Sequence, residues 1–439
     1  MLNEYLKAVE ETEFTRRVGR VKQFFGLVLE SDGPDVFLGE QCEIHSGTFN
    51  TPVPAEVVGI KDDKVLLMPY GELRGIRLGS EVIATGQPVQ VPVGDALLGR
   101  VIDAFGKPLD GKPPAKLEEN YPIYAEPLNP LHRPPINEIL ETGVRVIDSM
   151  LTIGRGQRVG IFSGSGVGKS SLLGMIARNM NADINVIALI GERGREVLEF
   201  VEQILGVEGL KRTVVVVATS DQPALVRSHA ALTATAIAEY FRDQGKDVLL
   251  TMDSITRFAM AQREIGLAVG EPPTARGYTP SVFALLPRLL ERGGTSSSGG
   301  SITALYTVLV EGDDLNDPIS DSVRSILDGH IVLSRELANH GHYPAIDVLQ
   351  SNSRLLTHLL QHDELASVRQ AITILSTYEK SRDMVEIGAY RSGSNAKLDQ
   401  AIKLISWFEK FMCQDLEHSF ERSKTMQELK EYLGKKVNS

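Results

Sequence analysis

The sequence predicts an α/β fold in which a parallel sheet carries helices on both faces, with a small β-barrel before it and a helical domain after it. Three observations carry this. Between residues 159 and 335, near-continuous apolar runs ("VGIFSG", "NVIALIGE", "TVVVVAT", "DVLLTMD", "ITALYTVLVEG", "HIVLSR") alternate with helical patterns, and strands apolar on both faces belong to a covered parallel sheet. From Val18 to about Val91 the texture is instead short β-rich runs, "GLVLES", "AEVVGI", "KVLLMPY" and "SEVIATG", broken by Gly, Asp-Gly and Pro-Tyr-Gly turns, as in a small barrel. From about residue 356 strand signals stop, and "ELASVRQAITILSTYEK" and "NAKLDQAIKLISWFEKFM" show helical spacing. The predicted domains are 1–91, 92–355 and 356–439.

The elements follow in chain order. Leu2, Tyr5, Leu6 and Val9 fall at helical spacing, so a short amphipathic helix is expected at the start, either packed on the barrel or free to dock a partner. Eight of the 21 prolines lie between Pro108 and Pro135, which makes that stretch an extended connector. "GGTSSSGGS" (293–301) reads as a flexible loop. Trp407, Phe408 and Phe411 fit a bundle core better than a base-stacking platform.

Composition removes several function classes. With 46 Lys+Arg against 57 Asp+Glu, the formal charge of −11 opposes a nucleic-acid partner. The two cysteines, Cys42 and Cys413, form neither a disulfide framework nor a zinc spacing, and the nine histidines, His340 and His342 included, show no metal spacing with acids. The N-terminal stretch lacks the apolar run of a signal peptide and no 18-residue apolar span occurs, so a cytoplasmic location is expected.

The chemistry concentrates at one break between strand and helix. After "VGIF", the run Gly164-Ser165-Gly166-Val167-Gly168-Lys169-Ser170-Ser171 opens a helix. Glycines let backbone N–H groups curl around phosphates, the helix N-terminus adds partial positive charge, and Lys169 reaches the β/γ-phosphates of a nucleotide. Ser170 is placed to ligate Mg²⁺. The usual pattern begins with Gly where this chain has Ser163, a small residue that still permits the turn. Asp253 ends the strand "DVLLTMD" and Glu192 follows "NVIALI", so both acids face the phosphate edge, Asp253 on the metal side and Glu192 as the group that orients an attacking water. Hydrolysis of ATP with Mg²⁺ is the expected chemistry.

The segments "SGVGKSSLLGMIAR", "IALIGERGREV", "ATSDQPALVR", "MDSITRFAMAQREIGLAVGEPPTARGYTPSVFALLPRLLERGG" and "YPAIDVLQSNSR", with "GRVIDAFGKPLDG" before them, resemble the type III protein-export ATPases, above all their flagellar branch. That family is similar to the α and β subunits of rotary ATP synthases, which implies an N-terminal β-barrel, a RecA-like P-loop ATPase core and a C-terminal helical domain. The resemblance makes Glu192 catalytic, Arg193 a phosphate contact, Asp253 the Mg²⁺-side acid and Arg257 a support of the site. It makes Tyr343 the ring that stacks on adenine and Arg354 an arginine finger delivered to the neighbouring subunit of a homohexamer. It also implies a stator-like regulator on the N-terminal helix, a central coiled-coil stalk, and export-gate membrane proteins that hold the ring at the inner face of the membrane. Chaperone–substrate complexes are its implied cargo. The β subunits' acidic motif is replaced here by "ILSTYEKSRDMVEIG", which opposes a synthase subunit. The other readings are an injectisome export ATPase, a RecA-like hexameric RNA helicase or terminator, and a non-enzymatic regulatory ATP-binding subunit, which Glu192 opposes.

Overall fold

The computed structural model describes residues 16–46, 51–117, 119–310, 312 and 314–437. The amphipathic stripe of Leu2, Tyr5, Leu6 and Val9 lies outside the described residues. Six strands, β1 (Val18–Phe25), β2 (Val28–Ser31), β3 (Glu40–His45), β4 (Val53–Lys61), β5 (Lys64–Pro69) and β6 (Glu81–Pro88), close a barrel in the order β1-β2-β5-β4-β3-β6. Its interior is filled by Val21, Leu29, Ile44, Val57, Leu67 and Val82, each at most 1% exposed. The β1 and β3 runs, VGRVKQFF and EQCEIH, alternate polar with apolar residues, so they lack the apolar density by which the other barrel strands announce themselves.

The central sheet has eight strands on its main path: β7 (Arg100–Ile102), β8 (Arg158–Ser163), β9 (Ile184–Ile190), β10 (Thr213–Ala218), β11 (Asp247–Asp253), β12 (Ser301–Leu309), β13 (Gly329–Leu333) and β14 (Ile346–Ser353). Their order is β14-β13-β8-β12-β11-β9-β10-β7. All pairs are parallel except β13–β14. Every residue of β9 and β10 is buried, as strands covered on both faces require. Two differences from the sequence reading stand out. The connector is not merely extended, because its residues Glu119–Pro122 pair antiparallel with Gln90–Val93. The stretch 293–301 is no flexible loop: Gly294–Thr295 pairs with β12, Ser296 N–H donates to the Gly300 carbonyl at 3.0 Å, and the Ser298 hydroxyl donates to the Arg242 carbonyl at 3.0 Å.

Helices α1 (Lys169–Asn179), α2 (Ala224–Asp243), α3 (Ile255–Ala268) and α4 (Pro280–Leu290) accompany the sheet, and α5 (His362–Glu379), α6 (Ala396–Met412) and α7 (Arg422–Val437) form the C-terminal domain. There Phe408 and Phe411 are buried and Trp407 stacks on Tyr432 with centroids 3.9 Å apart. The barrel is pinned to α2 by one buried cluster: the Glu56 carboxylate lies 2.7 Å from His229 Nε2 and accepts from Tyr124 at 2.6 Å and Tyr70 at 3.1 Å. Burial alone would push the Glu56 carboxyl up, but His229 and the two tyrosines outweigh it and hold it below its ordinary value.

Candidate active site

Strand order decides which side chains meet. Because β12 separates β8 from β11, and β9 lies beyond β11, the loops leaving β8, β11 and β9 converge at one carboxyl-terminal sheet edge. β8 ends at Ser163, which is buried and pairs with Leu309 and Leu333. Ser163 is still a strand residue, so the glycine usual at this place is not needed for the turn. The freedom is needed later: Gly166 (φ 78°) and Gly168 (φ 87°) both lie in the left-handed region, where a side chain is strained. Gly168 caps α1 without any side-chain hydrogen bond, which leaves the first N–H groups of the helix for an anion. Ser165, Gly166 and Ser170 are exposed on this cradle, Gly168, Lys169 and Ser171 are half-buried, and Gly164 and Val167 face inward.

Lys169, the first residue of α1, reaches across to both acids. Its ammonium donates to Asp253 Oδ1 and stands 3.6 Å from Glu192 Oε1. Asp253 is 3% exposed and also accepts from the Thr307 hydroxyl at 2.7 Å. Thr307 was not among the residues read from the sequence, and nothing marks it there, since β12 (SITALYTVL) also holds the hydroxyls of Ser301, Thr303 and Tyr306. Burial pushes the Glu192 carboxyl up to about 7, helped by a hydrogen bond with Glu196 and by the Asp253 charge, and opposed by Lys169. Glu196 in turn is held below its ordinary value by that hydrogen bond. A carboxyl that titrates near neutrality beside a cation is what proton transfer from water requires.

Arg257 follows Ser254, whose hydroxyl caps α3 by accepting from the Arg257 N–H. Its side chain packs over Gly191, where an added Cβ would stand 3.1 Å from Arg257 Cβ and Cγ, and its Nε is buried without a hydrogen-bond partner. That N–H is an unmet donor one residue from Glu192. Arg193 is placed differently from the phosphate contact expected of it: its side chain is 83% exposed and pairs with Glu196 at 3.7 Å. The backbone explains this, since Arg193 is the residue before the helix Gly194–Glu199 and turns outward as the chain enters it. Tyr343 lies over the cradle, so near that a Cβ on Gly168 would sit 3.4 Å from its Cδ1 and Cε1.

Arg354 is not part of this cluster. Ser163, at the cradle, is in register with Leu333, and Leu333 with Ile346, whereas Ser353 pairs with Gly329 at the opposite end of the sheet. The eight residues of β14 span about 25 Å at the rise of a β-strand, further than an arginine reaches. Hard oxygen donors for Mg²⁺ exist in the Ser170 hydroxyl and the Asp253 carboxylate. Among the described residues no group of three or more His, Cys, Asp or Glu forms a closed cage, and this donor set suits a cation that takes the rest of its shell from phosphate oxygens.

Anion-binding backbone, a bridging lysine and two acids at the carboxyl edge of a parallel sheet place this chain among the P-loop nucleotide-binding proteins. Comparison with known proteins narrows that class. The nucleotide-binding domain of the ATP synthase alpha/beta family matches residues 143–353, its beta-barrel domain residues 21–86, and the T3SS EscN ATPase C-terminal domain residues 360–431. The flagellum-specific ATP synthase of Bacillus subtilis is 56% identical over 93% of this chain and 93% of that protein, and the type 3 secretion system ATPase of Xanthomonas euvesicatoria 52% identical over 91% and 90%. The assembled ATPase EscN of enteropathogenic E. coli superposes with a TM-score of 0.89 at 46% identity, over 94% of this chain and 98% of that one. EscN in complex with its central stalk EscO gives 0.86 at 45%, again over 94% and 98%. This chain belongs to the ATP synthase alpha/beta family, within its group of flagellum-specific ATP synthases and type III secretion ATPases.

Proposed function

We propose that this chain is the Mg²⁺-dependent ATPase of a flagellar type III protein-export apparatus, active as a homohexameric ring. The observation that carries the chemistry is Lys169 held between Glu192 and Asp253 at the mouth of the glycine cradle. In the proposed reaction the Glu192 carboxylate orients a water against the γ-phosphorus. The new P–O bond forms as the bond to the ADP oxygen breaks, and the proton lost by water passes through Glu192 to the departing phosphate. Lys169 and the cradle N–H groups carry the charge of the β- and γ-phosphates, and the Arg257 donor steadies the Glu192 side of the site. Ser170 and Asp253 would hold Mg²⁺, which supplies charge neutralisation on the phosphate oxygens. Tyr343 carries adenine, and Arg354 serves the neighbouring site. The ring is proposed to release chaperones and deliver substrates to export-gate proteins at the membrane, with a stator-like regulator at its N-terminal segment and a coiled-coil stalk in its centre. Among the described residues no helix is long and apolar enough to cross a membrane, so membrane association is assigned to these partners.

Introduced into Bacillus subtilis lacking its own flagellum-specific ATP synthase, the chain should restore swimming, while its Glu192→Gln variant should not. Restoration only of a Xanthomonas strain lacking its type 3 secretion ATPase would instead establish the injectisome role. Two properties of the purified protein check the site. Tyr343→Ala should raise KM for ATP about 10-fold, the worth of one stacked base, with kcat nearly kept and Tyr343→Phe restoring KM. A simultaneous loss of kcat would assign Tyr343 to chemistry instead. Because Glu192 acts as a carboxylate and titrates near 7, kcat/KM should rise with pH through that region. Glu196→Gln removes a neighbouring charge that raises Glu192, so the acid limb should move to lower pH; a limb that stays fixed refutes the coupling.

A further inference from the structure

The exposed Arg354 sits on a support whose parts come from distant segments. Its backbone N–H donates to the Asp328 carbonyl at 3.0 Å, and the same carbonyl accepts from Gln157 Nε2 at 3.1 Å. Gln157 also reaches the Ser353 hydroxyl at 3.3 Å, and that hydroxyl donates to the Thr152 carbonyl at 2.9 Å. The Asp328 carboxylate is gripped by Arg158: the Arg158 backbone N–H donates to Oδ2 at 3.1 Å, Nε to Oδ2 at 2.9 Å and Nη2 to Oδ1 at 3.1 Å. The Asp328 N–H returns a bond to the Arg158 carbonyl at 2.9 Å, and Arg158 pairs with Glu291 at 2.5 Å. The Arg158 and Asp328 side chains are only 13% and 24% exposed, so the fork is held in a partly desolvated setting where a bidentate pair is geometrically specific. Only the guanidinium end of Arg354 is lightly tethered, by Nη2 to the Arg324 carbonyl at 3.1 Å.

Arg158 is the first residue of β8, and β8 ends at Ser163 beside the cradle. One strand of about 20 Å therefore has the support of Arg354 at its start and the chain's own nucleotide loop at its end. We propose that Arg158 and Asp328 are positioning residues for Arg354, fixing the arginine this chain offers its neighbour, and that β8 ties that arginine to the chain's own P-loop. This rests on the reading of Arg354 as acting in trans. The role is mechanical: neither residue touches nucleotide, but a finger displaced by an ångström loses its effect on the transition state, a misplacement worth about 10²-fold in rate.

The test uses the full-length chain and sorts variants by complementation in mixed rings. Asp328→Asn keeps shape and removes the charge that holds the fork; Arg158→Lys keeps charge and removes the fork, and serves where the first variant does not fold. Each should lose about 10²-fold in kcat while ATP affinity, read with a fluorescent ATP analogue, and ring assembly stay at wild-type values. Mixed with Glu192→Gln chains, either variant should regain activity, because its intact site then meets a neighbour with a well-placed Arg354. Mixed with Arg354→Ala chains it should not. The opposite sorting, recovery with Arg354→Ala and none with Glu192→Gln, would show that Arg158 and Asp328 serve the chain's own P-loop, and would overturn the proposal, as would wild-type kcat in both variants. The pair Arg354→Ala with Glu192→Gln is the internal standard. Its failure to recover in co-assembled rings would refute the trans reading itself, a result distinct from mis-sorting of the support variants.

Discussion

Lys169→Ala should abolish hydrolysis and weaken nucleotide binding together, whereas Glu192→Gln should bind ATP and hydrolyse it about 10²–10⁴-fold more slowly, the range of a lost general base. The two defects differ because the two side chains meet different parts of the reaction. Lys169 stands at the cradle mouth against both acids, so its removal takes away the cation that would face the β- and γ-phosphates and leaves Asp253 with Thr307 as its remaining side-chain partner. A buried acid stripped of its cation is costly, and Lys169→Ala should therefore also lower the thermal transition. Glu192→Gln is nearly isosteric and leaves the lysine paired with Asp253, so its folding stability should be close to wild type. It can still position water poorly but cannot accept a proton. Equilibrium binding of an ATP analogue and steady-state phosphate release separate these outcomes. Near-normal turnover by the Gln variant would remove Glu192 from its assigned role.

How much of this site is legible in a bare sequence depends on whether its parts are contiguous. The cradle, Lys169 and Ser170 sit within one short run, and Glu192 and Asp253 each end an apolar strand, so a rule about strand ends in α/β sheets finds them. Side-chain direction is less accessible. Arg193 carries the same motif, yet the helix that starts at Gly194 turns it into solvent. Partners that come from mid-strand are harder still: Thr307 is one of several hydroxyl residues in β12, and only the β11–β12 pairing of Met252 with Tyr306 shows that it flanks Asp253. The strands that escaped notice, β1, β3, β7 and β14, are those only part-buried on one face or at a sheet edge, where polar residues dilute the pattern. The support of Arg354 joins residues 158 and 328, and no local pattern records a contact across 170 positions.

Arg354→Ala should bind ATP almost normally and lose about 10³–10⁵ in kcat, the worth of an arginine finger in phosphoryl transfer. On the proposed reading of Arg354 this effect crosses a subunit boundary. Tyr343 and the cradle lie at one end of β14 and Arg354 just past the other, so the guanidinium cannot reach the γ-phosphoryl bound by its own chain. Only a second copy can bring it there. Specific activity of the wild type should accordingly rise with protein concentration as rings assemble, because a site without its neighbour lacks the finger. The sharper measurement mixes two inactive chains, Arg354→Ala and Glu192→Gln. A mixed ring contains interfaces where the intact Glu192 of one chain faces the intact Arg354 of the other, and those interfaces should hydrolyse ATP although neither parent does. If the mixture stays as inactive as its parents while sedimentation shows co-assembly, or if the dilute monomer turns over at the full rate, Arg354 is not a trans finger and the site does not lie between subunits.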